Sequence, residues 1–219
     1  MRPEYPLAIF DLDGTLTDSG PGIIGSVRKT LSALGRPIPP ADILRRFIGP
    51  PTWSSFRVLC SMSPAEADGA VRVFRGIYAA GGVFESSVYP GIPALLDGLR
   101  AAGAKLAVAT SKPGSQAERV LEHFDLARRF DLLSAADETD RSGGKEELIR
   151  PALRKLGFPA REAVMIGDTK FDASGAGKAG VAFIGVLYGF GTREEIRRAG
   201  GRVFARTVPQ LSAMLLREG

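Results

Sequence analysis

Six short apolar stretches, at residues 7–12, 105–110, 130–135, 163–167, 181–187 and 202–205, recur along the chain, and most are separated by segments with apolar residues at helical spacing. This alternation restricts the fold more than any other feature. Strands that are apolar on both faces must be covered twice, and the sequence places the covering helices between them. It predicts an α/β chain with a doubly wound, Rossmann-like parallel sheet whose right-handed crossovers bring the strand ends and their loops to one edge. Ile92, Leu95, Leu96 and Leu99 form one helical stripe ended by Gly103, and Leu148, Ile149, Leu153 and Leu156 form another ended by Gly157.

One segment breaks the alternation. From residue 19 to about 85 the signals are helical, with Ile23, Ile24, Val27, Leu31 and Leu34 at helical spacing after Pro21 and before Gly35. Ser63-Pro64-Ala65-Glu66 reads as a capping box opening a helix that runs toward Tyr78, and Gly81-Gly82 closes it. An all-helical block of roughly 65 residues inserted after the first strand predicts a small cap folded over the strand ends. The division is residues 1–18 and 87–219 for the core and 19–86 for the cap, with joints near residues 18–22 and 85–91.

A chain of 219 residues accommodates a core plus such an insert. Cys60 is the only cysteine, which excludes an internal disulfide and cysteine-cluster metal sites and fits a reducing, cytoplasmic setting. His123 is the only histidine, in a helix-like stretch away from the strand ends, so both residues read as structural. Reactions that draw on imidazole as base or ligand are thereby disfavoured. The net charge of +5 comes with 22 Arg and 7 Lys among the 29 basic residues, dispersed in runs no longer than two. That pattern predicts a solvated basic surface and a small anionic substrate rather than a nucleic-acid face. No uncharged run approaches the ~20 residues of a membrane span, and the first apolar stretch is interrupted by Asp11 and Asp13, so neither a membrane anchor nor a signal peptide is expected.

The first strand ends in Asp11-Leu12-Asp13-Gly14-Thr15-Leu16-Thr17-Asp18. Residues two apart on a strand share a face, so the Asp11 and Asp13 carboxylates converge where the strand stops. Two acids there are costly unless a cation or a phosphate-handling role compensates them, and Gly14 permits a turn whose N–H groups approach an anion. An acidic cap or turn is the structural alternative, although a cap needs only one such residue.

This octapeptide resembles the first motif of the haloacid dehalogenase-like (HAD) hydrolases, Asp-x-Asp-Gly-Thr-hydrophobic-x-Asp. Val108-Ala109-Thr110-Ser111-Lys112 looks like the second motif, Lys145 in Ser142-Gly143-Gly144-Lys145 falls at the third, and Met165-Ile166-Gly167-Asp168-Thr169-Lys170-Phe171-Asp172 matches the fourth. The four occur in the right order and span nearly the whole chain. The resemblance implies a Mg²⁺-dependent phosphatase in which Asp11 attacks phosphorus and Asp13 protonates the leaving oxygen; spacing alone does not order those two roles. It implies further that Thr110 and the Ser111 N–H hold a phosphoryl oxygen near Gly14 and that Lys145 neutralises phosphate. Asp168 would complete a metal site with Asp11 and the Asp13 carbonyl, and Asp172 would orient it or cap the following helix. Lys112 reads either as an ion-pair partner within the second motif or as a surface residue.

Within the family, Asp13 speaks against dehalogenase chemistry, and the lack of a cap histidine against a β-phosphoglucomutase-like phosphotransferase. A non-enzymatic receiver-type domain would have no cap. Ile48-Gly49-Pro50-Pro51, Val88-Tyr89-Pro90-Gly91 and Gly185-Val186-Leu187-Tyr188-Gly189 resemble phosphoglycolate phosphatase-like members, some described as 5′-nucleotidases, with sugar phosphates a further substrate class. Gly49 then marks a specificity loop. Arg45, Arg46 or Arg75 would reach a substrate carboxylate, or else lie on a solvated helix face. A monomer or a homodimer is expected.

Overall fold

Leu7, Ala8, Ile9 and Phe10 are each no more than 1% exposed, as a strand buried on both faces requires. The computed structural model describes residues 2–137 and 144–217. Its strands in chain order are β1 (Arg2–Pro3), β2 (Leu7–Phe10), β3 (Thr17–Asp18), β4 (Ser87–Val88), β5 (Lys105–Pro113), β6 (Leu132–Ala136), β7 (Ala163–Gly167), β8 (Ala182–Val186), β9 (Val203–Ala205) and β10 (Leu216–Arg217). Six of them form one parallel sheet in the order β6-β5-β2-β7-β8-β9. The order reverses around β2, which puts the ends of β5, β2 and β7 at the position where open α/β sheets bind ligands.

The ten α-helices are α1 (Gly20–Ala33), α2 (Ala41–Arg45), α3 (Thr52–Leu59), α4 (Pro64–Ala80), α5 (Ile92–Ala101), α6 (Gly114–His123), α7 (Glu146–Leu156), α8 (Lys170–Ala179), α9 (Arg193–Arg198) and α10 (Val208–Leu215) among the described residues. Strand residues alternate between two cores. Ala8, Phe10, Leu106, Val108, Val164 and Ile166 join Leu95, Val120 and Leu211 on one face, while Leu7, Ile9, Ala107, Ala109 and Met165 join Ile149, Ala152 and Ala176 on the other. None of these helices is long and apolar enough to cross a membrane.

Helices α1 to α4 occupy the segment between β3 and β4, which pair antiparallel as a two-stranded joint, Thr17 opposite Val88 and Asp18 opposite Ser87. Ser63 and Glu66 form the expected capping box of α4. Phe47, Phe56, Phe74 and Tyr78 run through this helical unit with ring centroids 5.1, 6.4 and 5.5 Å apart, and belong to the same buried cluster as Phe10, Leu12 and Leu16 of the core.

Two strand boundaries differ from expectation for identifiable reasons. The first strand stops at Phe10 rather than Leu12, because the Asp11 N–H makes the last sheet bond, to Ile166 at 2.9 Å, before the chain turns away. The second runs past Thr110 to Pro113, with its register against β6 shifting after Thr110.

Candidate active site

The loop leaving β2 is built to present carboxylates. The Gly14 N–H donates to Thr17 O at 2.7 Å with Gly14 at φ 84°, a left-handed conformation that glycine adopts without penalty. The resulting turn brings Asp11 and Asp13 to one cavity, where Asp11 Oδ1 accepts the Leu12 N–H at 2.8 Å.

Lys145 crosses from the start of α7 to meet them. Its Nζ lies 2.9 Å from Asp11 Oδ1 and 2.9 Å from Asp172 Oδ1, and donates to the Ala109 carbonyl at 3.2 Å. The backbone here packs against α8, where a Cβ on Gly175 would stand 2.5 Å from Lys145 Cβ, so the lysine reaches its partners only because that helix carries glycine. Ser142 and Gly143 of the third-motif stretch lie outside the described residues.

Asp168 and Asp172 complete the buried acidic group. Thr15 Oγ1 donates to Asp168 Oδ1 at 3.1 Å and the Phe190 N–H to Asp168 Oδ2 at 2.8 Å. Asp172 Oδ2 accepts from the Thr169 N–H at 3.0 Å and Thr169 Oγ1 at 2.7 Å, the capping box of α8. Burial pushes the Asp11 carboxyl up to about 7, against the pull of Lys145 and with repulsion from Asp172 adding to it. Asp168 is raised well above the carboxylate range by burial and then by Asp172 and Asp11.

The donor set suits a hard divalent cation. Carboxylate oxygens of Asp11, Asp168 and Asp172 all lie within 4.8 Å of one another, and one lysine does not balance three acids. The room beside Asp168 is kept by missing side chains, since a Cβ on Gly14 would come within 2.2 Å of Asp168 Oδ2 and one on Gly189 within 2.5 Å.

A second buried lysine holds the other acid. Lys112 Nζ lies 2.9 Å from Asp13 Oδ2 and donates to Tyr78 Oη of α4 at 2.7 Å. Burial opposes its charge, but Asp13 and Tyr78 more than offset this and keep it protonated above the usual lysine range. The Lys112 N–H donates to Thr110 Oγ1 at 3.1 Å, which orients that hydroxyl where the register of β5 against β6 shifts. Of the two readings of Lys112, the geometry therefore favours the ion pair.

Asp11, Asp13, Gly49, Thr110, Ser111 and Lys112 line one cavity of about 70 Å³ with Tyr78, Phe74 and Gln116. Lys145 and Asp168 stand behind Asp11. Arg45 and Arg75 are not brought there: exposed Arg45 lines a separate groove of about 680 Å³ between α2 and α3 of the cap and α8 and α9 of the core, and Arg75 is half-buried on α4. Tyr78, Phe190 and Gly189 were missed by the sequence reading. Helical periodicity gives only the inward face of Tyr78, and the glycine-rich stretch after β8 carried a resemblance without a role. That stretch meets the cap exit, with Tyr89 and Tyr188 centroids 4.8 Å apart and Tyr188 Oη donating to Thr15 O at 3.2 Å.

The family model described as haloacid dehalogenase-like hydrolase matches residues 8–186. The chain belongs to that family. This HAD chain is 42% identical over 194 residues to a 5′-nucleotidase of Pseudomonas aeruginosa, covering 89% of this chain and 88% of the relative. It is 36% identical over 211 residues to the tyrosine-protein kinase PtkA of Mycobacterium tuberculosis, covering 95% and 72%. With a phosphoglycolate phosphatase of Caulobacter vibrioides the identity is 34% over 191 residues, covering 85% and 80%. A solved structure, of a predicted phosphatase from Clostridium acetobutylicum, superposes with a TM-score of 0.91 at 39% identity over 96% of this chain and 97% of that one. The protein is a HAD-like phosphatase, and the inserted helices set it apart from a receiver-type domain.

Proposed function

We propose that the protein hydrolyses a small phosphomonoester through an aspartyl-phosphate on Asp11, with Mg²⁺ held by Asp11, Asp168 and the Asp13 carbonyl and oriented by Asp172. The observation that carries this reading is the pair of acids in one cavity, each with its own buried lysine. Both protein bonds to the Asp11 carboxylate end on Oδ1, so Oδ2 has no protein partner among the described residues.

In the first step an Asp11 carboxylate oxygen forms a bond to phosphorus as the bond from phosphorus to the alcohol oxygen breaks. The electron pair stays on that oxygen, Asp13 gives it a proton, and the alcohol departs. In the second step a water attacks the aspartyl-phosphate while Asp13 takes its proton, releasing phosphate and regenerating Asp11. Thr110, the Ser111 N–H and Lys145 stabilise charge on the phosphoryl oxygens throughout. Bound Mg²⁺ would supply positive charge for the same oxygens. Lys112 stabilises the charge that Asp13 acquires when it gives up its proton.

A cavity of about 70 Å³ is well below the several hundred typical of drug-sized ligands and favours a leaving group of two or three carbons, as in phosphoglycolate, over a nucleoside. A 5′-nucleotide or sugar phosphate is the second reading, favoured by the identity to the Pseudomonas aeruginosa 5′-nucleotidase. We assign the activity to the cytoplasm, in a monomer or homodimer.

The test is turnover of p-nitrophenyl phosphate with Mg²⁺, followed by kcat/KM for phosphoglycolate, nucleoside monophosphates and sugar phosphates. Asp11→Asn is expected to lose at least about 10⁴ in kcat. Equal turnover by wild type and variant would remove Asp11 as the nucleophile.

A further inference from the structure

Lys112, which faces Asp13, takes its other hydrogen-bonding partner from the inserted helices. Tyr78 is 2% exposed in α4, stacked on Phe74 with centroids 5.5 Å apart and an interplanar angle of 10°. Its oxygen accepts from Lys112 Nζ at 2.7 Å, and the same ammonium lies 4.7 Å from the centre of the tyrosine ring. The other recorded side-chain partner of that ammonium is Asp13 Oδ2 at 2.9 Å. Asp13 Oδ1, by contrast, is buried without a hydrogen-bond partner among the described residues, and the Asp13 side chain lines the same cavity as Asp11.

We propose that Tyr78 is a positioning residue for proton transfer by Asp13, acting through Lys112, so that the leaving group is protonated efficiently only when α4 is seated on the core. The proposal rests on the phosphatase reading above. An ammonium on a flexible four-carbon stem is a poor locator by itself. With Tyr78 and Asp13 as its two side-chain hydrogen-bonding partners, Lys112 is fixed between them, and it in turn fixes the Asp13 carboxylate through Oδ2. Tyr78 itself is fixed by the row Phe47, Phe56 and Phe74, so the inserted helices set the position of a core acid through one phenol. As the bond from phosphorus to the ester oxygen breaks, the Asp13 proton passes to that oxygen and the charge left on Asp13 faces Lys112.

The variant Tyr78→Phe keeps the ring, its stacking and its contact with the ammonium, and removes only the oxygen. The discriminating pair of probes is phenyl phosphate and p-nitrophenyl phosphate, alike in shape but different in leaving-group basicity. Phenol, with a pKa of about 10 like tyrosine, depends more on a delivered proton than p-nitrophenol does. For Tyr78→Phe we expect kcat/KM with phenyl phosphate to fall about tenfold, the scale of one lost hydrogen bond to a charged group, and that with p-nitrophenyl phosphate to change less than about twofold. Equal losses on both probes, or none on either, overturn the proposal. In a Lys112→Met background, Tyr78→Phe is expected to add nothing; independent, additive losses also overturn it. If the wild type turns over neither aryl probe nor phosphoglycolate, nucleoside monophosphates or sugar phosphates with Mg²⁺, the phosphatase reading itself falls, and this proposal with it.

Discussion

The two buried lysines answer to different parts of the molecule. Among the described residues Lys145 takes its three partners, Asp11, Asp172 and the Ala109 carbonyl, from the parallel-sheet core. Lys112 is divided between Asp13 of the core and Tyr78 of the inserted helices. On the proposed mechanism, the phosphoryl-binding half of the site is thus assembled by sheet and crossover helices, whereas the proton-transfer half is completed by a segment that the first strand's exit loop and β4 tie in.

Lys145→Ala tests the core half and carries the largest effect after loss of the nucleophile. Removing a preorganised cation from the phosphoryl oxygens is expected to cost roughly 10²–10³ in kcat on phenyl and p-nitrophenyl phosphate alike. It also leaves buried Asp11 and Asp172 without the lysine that pairs with both, at about 3–5 kcal/mol of stability. Kinetics on the folded fraction together with a denaturant titration separate the two effects. A loss confined to phenyl phosphate would contradict the division drawn between the lysines.

The acidic group gives the next largest signal. Burial brings Asp11 to about 7 and Asp168 well above its ordinary range, while both unfolded carboxyls sit near ~3.9. Between those values the metal-free folded protein keeps protons that the unfolded chain has released. The Asp11 contribution to stability is therefore full below about pH 4 and is lost as pH rises through about 7, and that of Asp168 is likewise full below about pH 4 and is lost as pH rises through its own raised value. A divalent cation replaces those protons, so stabilisation by Mg²⁺ should grow with pH. At 100 times Kd it amounts to about 2.7 kcal/mol, or roughly 5–10 °C in Tm for a chain of this size. Melting curves with EDTA and with Mg²⁺ from pH 5.5 to 8 measure it, and a shift that does not grow with pH would argue against metal binding by these acids. Lys112 and Tyr78 stand outside this equilibrium, so Tyr78→Phe should leave the Mg²⁺ shift unchanged.

The same contrast governs what could be read from the sequence. The alternation that assigns Phe10 and Ile9 to opposite faces of β2 is a local property of the strand, and the acids at its end follow from position alone. Lys145 was reached through the resemblance of residues 142–145 to the family's third motif, not through periodicity. Tyr78 was not found. Its spacing from Ala67, Ala70, Val71 and Phe74 shows only a buried helix face, and that this face ends on Lys112 depends on how α4 lies across the core, which no periodicity encodes. Arg45 shows the opposite limit, because charge complementarity to an anion says nothing about direction: α2 turns it into the groove on the far side of the loop carrying Gly49.

That loop provides the smallest effect and the sharpest local contrast. Gly49 lines the cavity at φ 102°, and a Cβ there would lie 3.1 Å from Thr169 Cγ2, beside the capping box of α8. An alanine at this position is strained by its backbone and pressed against the core at once, so the loop must shift away from Thr169. Gly49→Ala should therefore raise KM for the preferred substrate several-fold, roughly the effect of 1 kcal/mol, with kcat altered less. Arg45→Ala, four residues away in sequence but facing the other groove, should leave kcat/KM within about twofold. Parallel steady-state kinetics on the two variants check the pair. A larger loss from Arg45→Ala than from Gly49→Ala would mean that the leaving group extends past Pro50, which lines both cavities, into the 680 Å³ groove, and that the substrate is larger than the inner cavity admits.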